Sequence, residues 1–411
     1  MRYGPGLIPT ELWKYGTTDV VRGLRAALSN ERETDTLPLP DLGDTVPVRS
    51  ARAGIVLAIR ALDLGPGACI GVPLYCCPVV FKAIEAAGCR PRFLDVDPQT
   101  FCISAEDLSA KQAGIDALLA VHMFGNVCDV PRLRPLIAGK PIIEDCAQSL
   151  GSRIRGQATG TFGDIAVFSF RSGKYISAGE GGALFAGDPA LMRRARAVAS
   201  GLGDVSRRDE CLHLVKSFIR SKLRSRPLYG LAGHALWEVY NRSVSYSGKS
   251  PLILRGPYRS DLALSRRRLP ACAAAIETRR HFADLYAASL RDPVTLCPEM
   301  PDAFYNRFQF PILLPSESQR DEATAHLQRH GIEASRPYRD IAGIAAAHYG
   351  YGGDCPASEW IAKRVLVVPS HEQLTTSDVQ RIARRLMDGL VTSDTSGRAS
   401  TSRTTTHHAR V

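Results

Sequence analysis

The stretch that most constrains this chain runs from Pro141 to Gly187, where short apolar runs alternate with polar, glycine-rich segments. Pro141–Glu144 and Asp164–Phe170 have the length and composition of buried strands. Asp145 directly follows the first run, and Lys174 lies four residues after the second. In open α/β sheets, ligands bind at the carboxyl ends of the strands. The pattern therefore predicts that a carboxylate and an amine meet over one cleft.

The rest of the chain alternates between strand-like and helix-like segments, which predicts an α/β fold with a mostly parallel central sheet flanked by helices. A second, smaller α/β pattern occupies 304–390 and follows a long helical pattern from Leu262 to Leu290. The predicted organisation is an N-terminal arm (1–49), a large domain (50–260) with a basic helical insertion (205–260), a linking helix with a small C-terminal domain (261–390) and a disordered tail (391–411).

Composition and charge exclude several classes of protein. The 411 residues are 45% hydrophobic and 23% charged, and no apolar run approaches the length of a membrane span. The first residues carry no apolar signal segment, and the eleven cysteines lack the paired spacing typical of zinc sites. We therefore expect a cytoplasmic protein with reduced thiols and no metal. The net charge of +11 is spread along the chain rather than gathered in a DNA-reading motif, and suits either a phosphorylated substrate or a generally basic surface.

An acid and a lysine at one sheet edge are the residues that pyridoxal phosphate requires. Asp145 would keep the nitrogen of the pyridine ring protonated, so that the ring can accept electrons from a substrate carbanion. Lys174 would hold the cofactor as a Schiff base and then move a proton as a base. Each residue alone has an ordinary alternative, because an aspartate after a strand often caps a turn and a lysine among glycines often lies in a solvated loop.

The motifs around these two residues narrow the alternatives. They are Asp-x-Ala-Gln-x-Leu-Gly (145–151), Gly-Thr-Phe-Gly-Asp (160–164), Phe-Ser-Phe (168–170), Lys174 and Gly-Glu-Gly-Gly (179–182). In this order and spacing they closely resemble the DegT/DnrJ/EryC1/StrS family of pyridoxal-phosphate-dependent sugar aminotransferases, which have fold type I. The resemblance implies amino transfer from an amino acid, L-glutamate, to a keto-sugar nucleotide. It also implies a homodimer with active sites at the subunit interface.

The resemblance further assigns contacts to the cofactor. Gln148 would bind the ring oxygen, and Ser169, which points opposite to the two phenylalanines beside it, would bind the phosphate. The family binds the phosphate with a Gly-Thr pair at a helix start, where this chain has Ala51 and Arg52. Backbone N–H groups remain available there, and Arg52 adds a guanidinium that can bind phosphate directly.

Other positions depart from the family pattern. Tyr75, at a predicted strand end, is the candidate for stacking on the cofactor, although the family places an aromatic residue two positions later, at Cys77. Arg171 and Tyr175 stand where the family often has histidine and asparagine, which indicates a different substrate or a different fine geometry. His122 matches a family His-x-x-Gly motif, and a lone histidine in a strand is more often structural than catalytic.

Two other functions remain open, namely another pyridoxal-phosphate reaction (a lyase or sugar dehydratase) and a non-catalytic sensor or scaffold. Relatives that act as dehydratases replace the lysine by histidine, so Lys174 argues against that reaction. A P-loop is excluded because tyrosine follows Gly173-Lys174 and the upstream glycine spacing is missing. The basic insertion also has two interpretations. Residues 205–240 form a surface that lies on a membrane, or a helical pair that packs on the dimer or covers the active site.

Overall fold

The computed structural model describes residues 6–29, 36–226, 228–236 and 252–401, and only the backbone of 391–401. The helices are α1 (Thr17–Leu28), α2 (Ala51–Ala61), α3 (Val79–Ala86), α4 (Ala105–Lys111), α5 (Val130–Leu133), α6 (Pro189–Ser200), α7 (Arg207–Arg224), α8 (Arg259–Arg268), α9 (Cys272–Ser289), α10 (Glu317–Arg329), α11 (Ile341–Tyr349), α12 (Pro356–Arg364) and α13 (Thr376–Thr401). The strands are β1 (Leu37–Leu39), β2 (Gly43–Val48), β3 (Cys69–Pro73), β4 (Arg90–Leu94), β5 (Ala117–Val121), β6 (Ile142–Asp145), β7 (Arg153–Ile154), β8 (Gln157–Ala158), β9 (Ile165–Ser169), β10 (Gly182–Phe185), β11 (Thr295–Leu296), β12 (Ala303–Phe304), β13 (Phe310–Leu313) and β14 (Val365–Val368).

A central sheet holds the large domain together, with strand order β1-β2-β10-β9-β6-β5-β3-β4. The strands from β9 to β4 are parallel, whereas β10 is antiparallel to both of its neighbours. Every residue of β5 and β6 is buried, as expected for parallel strands covered by helices on both faces. The predicted mostly parallel α/β sheet is confirmed, and its register sets Asp145 beside Val167, so β6 and β9 end at the same edge.

Helix α2 begins beside that edge of the sheet. The Ser50 hydroxyl caps the helix by accepting the Ala53 N–H at 3.3 Å, and most of the helix is buried. Gly54 lets α2 approach the sheet closely, since a Cβ there would lie 2.8 Å from Cγ1 of Val167. The N–H groups at the start of α2 therefore lie next to the end of β9 and the start of β10.

The prediction that residues 1–49 form only an arm is wrong, because β1 and β2 extend the central sheet at one edge. Leu37 and Leu39 are buried in β1, with Pro38 exposed between them. Prolines are tolerated on edge strands, where one side of the strand needs no hydrogen-bonding partner. The prolines in 37–48 weaken the strand pattern in the sequence, whereas the edge of the sheet accommodates the segment as strands.

A second, three-stranded antiparallel sheet, β11-β13-β14, builds the small domain. Its apolar core joins side chains of β13 and β14 to those of α9, α10 and α13. Helix α13 continues to Thr401, so the prediction of disorder from residue 391 is wrong for 391–401, and 402–411 lie outside the described residues. Extending an existing helix adds one hydrogen bond per residue without a new nucleation step, which explains helix beyond the apolar periodicity.

The long helical pattern from Leu262 to Leu290 is divided in the structure. A 3₁₀ turn at Leu269–Ala271 separates α8 from α9, and it contains Pro270, which cannot continue an α-helical hydrogen-bond ladder. Helix α8 packs on α1 in the large domain, and α9 joins the small domain. The predicted insertion contains α7 and a π-helical turn at Tyr229–Gly233, while 227 and 237–251 lie outside the described residues. In the described part of the chain no helix has the length and apolar character to cross a membrane.

Asp95 links the two domains. Its buried carboxylate follows β4 and accepts the N–H groups of Ala357 and Ser358 at 2.9 and 2.7 Å, and the Ser358 hydroxyl at 2.7 Å. These donors lie in the first turn of α12, where a negative charge is favourable. The Asp95 side chain, at the edge of the central sheet, thus accepts hydrogen bonds from the donors at the start of a small-domain helix.

We expect Asp95→Ala to lower the free energy of unfolding by about 3 kcal/mol, because it leaves buried N–H groups without an acceptor. Ser358→Ala removes only the hydroxyl bond and should cost about 1 kcal/mol. Urea unfolding followed by circular dichroism measures both. Equal losses in the two variants would show that Asp95 does not bind the backbone of α12.

Candidate active site

Asp145 ends β6 with a buried carboxylate, 7% exposed as a residue. Its Oδ1 accepts the Ala147 N–H at 2.9 Å. Burial raises the pKa of this carboxyl above its usual value, and the Ala147 hydrogen bond and the nearby Lys174 oppose that shift. The site therefore disfavours the charged form of the Asp145 carboxyl. One hydrogen bond from the Ala147 N–H partly replaces the water that burial removes.

Lys174 lies in the loop between β9 and β10, as the sequence predicts. Gly173 takes φ +92°, which favours glycine, and the Lys174 N–H donates to the Arg171 carbonyl at 3.0 Å. The side-chain Nζ lies 4.3 Å from the centroid of the Phe308 ring. Burial and the neighbouring Arg171 lower the pKa of this amine to about 8, against the raising effects of Glu11 and Asp145. A neutral amine is therefore accessible near physiological pH, as a nucleophile or a base requires.

A cradle for a phosphate lies beside the lysine loop. Ser169 ends β9 and pairs in register with Gly182 of β10. A Cβ at Gly182 would lie 3.0 Å from the Ala51 nitrogen and 2.4 Å from the Phe168 carbonyl oxygen, so glycine lets the start of β10 pack directly against the start of α2 and the end of β9. The structure thus brings Ser169 and the start of α2, with Ala51 and half-buried Arg52, to the same place.

Gln148 is held three residues past Asp145. Its Oε1 accepts the Phe124 N–H at 2.9 Å, which orients the amide and leaves Nε2 3.7 Å from the sulfur of Met123. Asn306 of the small domain donates to the Gln148 carbonyl at 2.9 Å. The predicted contact of the Gln148 amide with a cofactor oxygen stays a prediction, and its backbone is fixed from the small domain.

Tyr75 does not line the cleft. Its ring is fully buried against Phe101, Phe124 and Tyr338, and its hydroxyl donates to the Pro337 carbonyl at 3.2 Å. The prediction that this ring stacks on the cofactor is therefore wrong, because no face of the ring is open. The cause is the way the chain leaves β3, where Leu74, Tyr75 and Cys76 are all buried. Cys77, two positions later, is half-buried and lies close enough to Lys174 to influence its pKa.

His122 and Glu144 form a buried clamp behind the site. His122 Nε2 and Glu144 Oε2 are 2.9 Å apart, and His122 Nδ1 accepts the Cys128 N–H at 3.0 Å. Glu144 also accepts N–H groups of the 160–163 loop at 2.5 to 2.9 Å. Ligand atoms of His122, Glu144 and Cys146 lie within 4.8 Å of one another, but these hydrogen bonds already occupy the histidine and the carboxylate. The arrangement favours the structural role expected for His122.

Sequence reasoning missed Glu11 and Arg49. A Cβ at Gly173 would lie 2.9 Å from Oε2 of Glu11, and Glu11 accepts from Gln309 at 2.9 Å. Arg49 directly precedes the α2 cap, pairs with Glu180 at 3.0 Å and carries a buried Nη1 that has no hydrogen-bond partner. No motif or periodicity marks Glu11. The position of Arg49 next to a helix start was the available signal.

The sequence of this chain is similar to that of one known protein family over most of its length. Residues 43–218 and 261–387 match the model of the DegT/DnrJ/EryC1/StrS aminotransferase family. The chain belongs to this family. It is a pyridoxal-phosphate-dependent aminotransferase, as the motifs predict. The family match leaves out 219–260, which includes the end of α7 and most of the predicted insertion.

Individual relatives and a solved structure extend the likeness over most of the chain. The chain is 29% identical over 368 residues to UDP-N-acetyl-3-dehydro-alpha-D-glucosamine 3-aminotransferase of Acidithiobacillus ferrooxidans, covering 87% of this chain and 88% of the relative. It is 29% identical over 351 residues to dTDP-4-dehydro-2,3,6-trideoxy-D-glucose 4-aminotransferase of Saccharopolyspora spinosa, covering 84% and 83%. The fold matches aminotransferase TlmJ of Streptoalloteichus hindustanus with a TM-score of 0.68 at 23% identity, covering 93% of each chain.

The residues of the site fit pyridoxal phosphate. Burial penalises the Asp145 carboxylate, and a cationic ring nitrogen beside it would offset that penalty. At the other end, the Ser169 hydroxyl, the N–H groups at the start of α2 and the orphaned Nη1 of Arg49 suit a phosphate. Lys174 between them has the lowered pKa that imine chemistry with a carbonyl needs.

The two charges beside Lys174 give a matched pair of variants. Arg171→Gln should raise the pKa of Lys174 above 8 because it removes a like charge, and Glu11→Gln should lower it because it removes an opposite charge. Acetylation of Lys174 by trace acetic anhydride, followed by mass spectrometry of the cofactor-free protein over a pH series, measures both. Shifts of the same sign in the two variants would contradict this assignment.

The lowered pKa also predicts how stability changes with pH. Between pH 8 and the usual lysine value, the unfolded chain holds a proton that folded Lys174 has released. Unfolding therefore takes up a proton, and the contribution of Lys174 to the free energy of unfolding rises with pH through this interval. We expect Lys174→Met to be more stable than the parent protein at pH 7 and to lose that advantage by pH 10, in urea titrations of the cofactor-free form. An advantage that grows with pH would show that the pKa of Lys174 is raised instead.

Proposed function

We propose that this enzyme transfers an amino group from an amino acid, L-glutamate, to the keto group of a nucleotide-linked sugar. The observation that carries the proposal is that Asp145 and Lys174, which follow the neighbouring strands β6 and β9, lie close enough to influence each other's pKa, with Ser169 and the start of α2 nearby. Relatives named for UDP- and dTDP-linked keto-sugars support the choice of acceptor.

Each residue has one task in this proposal. Bound pyridoxal phosphate supplies an electron-accepting ring that carries the amino group between the two substrates. Asp145 keeps a positive charge on the ring nitrogen, and Gln148 orients the ring from its amide. Ser169, the N–H groups at Ala51 and Arg52, and the Arg52 guanidinium hold the phosphate. Lys174 would take the proton from the donor carbon and deliver it, through Nζ, to the cofactor.

Arg171 supplies a cation for anionic substrates. Its side chain is exposed and forms no ion pair with another of the described residues. It lies close enough to lower the pKa of Lys174 and to act on the hydroxyl of Tyr338. Both the carboxylate of an amino acid and the diphosphate of a nucleotide sugar match this charge.

The visible absorbance of the purified protein with pyridoxal phosphate tests the proposal. We expect an absorption band of the lysine-bound cofactor that disappears when L-glutamate is added, and Lys174→Ala should lack this band because it has no amine to bind the cofactor. Mass spectrometry of UDP-, dTDP- and GDP-linked keto-sugars incubated with the enzyme and glutamate then identifies an aminated product. A band that no amino acid changes would refute transamination.

Asp145→Asn tests the role of the acid separately. An amide cannot hold a positive charge on the ring nitrogen, so we expect amino transfer to slow by roughly 100-fold while the cofactor still binds. Stopped-flow absorbance after mixing with L-glutamate measures the rate, and equilibrium dialysis measures cofactor binding. An unchanged rate would remove Asp145 from the proposed chemistry.

We further propose that the enzyme works as a cytoplasmic homodimer with each site completed at the subunit interface, as the family resemblance implies. The buried Nη1 of Arg49, which has no hydrogen-bond partner among the described residues, supports a contribution from a second subunit. Light scattering during size-exclusion chromatography should give twice the chain mass of 44.6 kDa. An active, cofactor-loaded species at the mass of one chain would contradict the dimer.

A further inference from the structure

The outer face of α1, α7 and the segment 228–236 is unusually apolar for a surface. Among the described residues, ten large hydrophobic side chains are exposed, and eight of them lie on these three segments. Their exposed fractions run from 45% to 58%. The eight are Val21, Leu28, Leu212, Val215, Ile219, Leu228, Leu231 and Leu236, and we call this set the outer apolar face. Such a concentration marks an interaction surface rather than scattered surface residues.

Helix α7 is built with its polar side inward. Glu210 accepts the Arg259 N–H at 2.6 Å, and His213 lies 2.9 Å from the Asp261 carboxylate. Ser221 accepts the Tyr15 N–H at 2.8 Å. The opposite side carries Leu212, Val215 and Ile219 at the spacing of one helical stripe. These inward hydrogen bonds fix the orientation of the helix, so the apolar stripe cannot turn toward the core.

Helix α1 widens the stripe into a surface. It lies alongside α7 and touches it at Gly23, where a Cβ would be 2.4 Å from the Leu214 side chain. Its own exposed side adds Val21 and Leu28. The segment after α7 adds three leucines. The outer apolar face thus spans two adjacent helices and the turn that follows them.

The charge around this face is positive. The exposed basic side chains on α1 and α7 are Arg22, Arg25, Arg207, Arg208, Lys216, Arg220 and Lys222. Of the acids on the same helices, Asp19 and Glu210 are buried, and Asp209 is half-buried and lies 3.7 Å from Arg255. Apolar side chains framed by Lys and Arg are the pattern of a helix that lies in the interface of an anionic membrane.

We propose that the outer apolar face docks on the surface of a membrane that contains anionic lipids. The leucine, isoleucine and valine side chains enter the boundary between head groups and acyl chains, and the basic side chains bind the lipid head groups. A second copy of this chain fits the face less well, because a two-fold contact would set the basic residues of one copy against those of the other. A membrane supplies the opposite charge over the whole face.

The outer apolar face lies on one side of α7, and the opposite, inward side of α7 contacts the loop after Lys174. A Cβ at Gly179, in the loop after Lys174, would lie 2.9 Å from His213 Nε2 and 3.1 Å from Ser217 Oγ on the inward side of α7. Asp261, the partner of His213, also accepts the Glu180 N–H at 2.9 Å. The enzyme therefore works on a soluble substrate one helix away from the lipid surface.

Co-sedimentation of the cofactor-loaded enzyme with vesicles tests this proposal. One vesicle contains phosphatidylcholine alone, and the other contains phosphatidylcholine with phosphatidylglycerol. We expect pelleting with the anionic vesicle that weakens as salt is raised. The combined variant Leu212→Ser, Val215→Ser and Ile219→Ser should bind at least about ten-fold more weakly. A control variant, Ile253→Ser with Trp360→Ser, removes the exposed apolar residues outside the face and should bind like the parent.

Cofactor absorbance and circular dichroism check that the variants are folded. If the apolar variant unfolds, Arg22→Glu with Lys216→Glu decides the same question, because it should abolish pelleting with the anionic vesicle. Parent enzyme that stays in the supernatant with both vesicles would overturn the proposal. So would an apolar variant that pellets like the parent, or a lipid-free association of the parent that the apolar variant abolishes, since that would assign the face to a second copy.

Discussion

The site depends on keeping a carboxylate out of water at the end of β6. Asp145 is buried because β6 lies between β5 and β9, and helices cover both faces of the sheet. In that environment its charge is stabilised by one backbone donor and by positive groups across the cleft. Lys174 is such a group, and burial lowers its own pKa. A cationic cofactor ring would therefore stabilise the charged carboxylate of Asp145. A carbonyl group would react with the neutral amine of Lys174.

The elements that place these two residues were predictable because their pattern is local. β6 and β9 are short apolar runs whose ends are marked by Asp145 and by the glycines around Lys174. β1 and β2 were not predicted, because Pro38 and Pro47 disfavour strands. Pro38 is compatible with a strand because β1 is at the sheet edge, and Pro47 because it lies in β2 past the residues that pair with β1. Pro270 itself indicates a break in the long helix. The helical periodicity of the apolar residues on both sides nevertheless led to the prediction of one continuous helix.

The part of the site that escaped prediction comes from distant segments. Glu11 reaches the lysine loop only because the N-terminal segment pairs with the small domain, where Ile8 bridges Ile332. The direction of the Tyr75 ring depends on how the chain leaves β3, and a strand period of two does not extend into that turn. Long-range packing of this kind leaves no periodic or motif signal in one sequence.

Arg224, at the end of α7, connects three segments that are far apart in the chain. It donates to the Glu11 carbonyl at 2.8 Å, contacts the Tyr229 hydroxyl at 3.3 Å and lies 3.7 Å from Glu333 of the small domain. Glu333 in turn accepts the Thr10 N–H at 2.7 Å. Arg224 and Glu333 therefore tie the end of α7 to the backbone of Thr10 and Glu11. A chain whose insertion ended before Arg224 would lose the donor that holds the Glu11 carbonyl, and with it one restraint that keeps the Glu11 side chain beside the lysine loop.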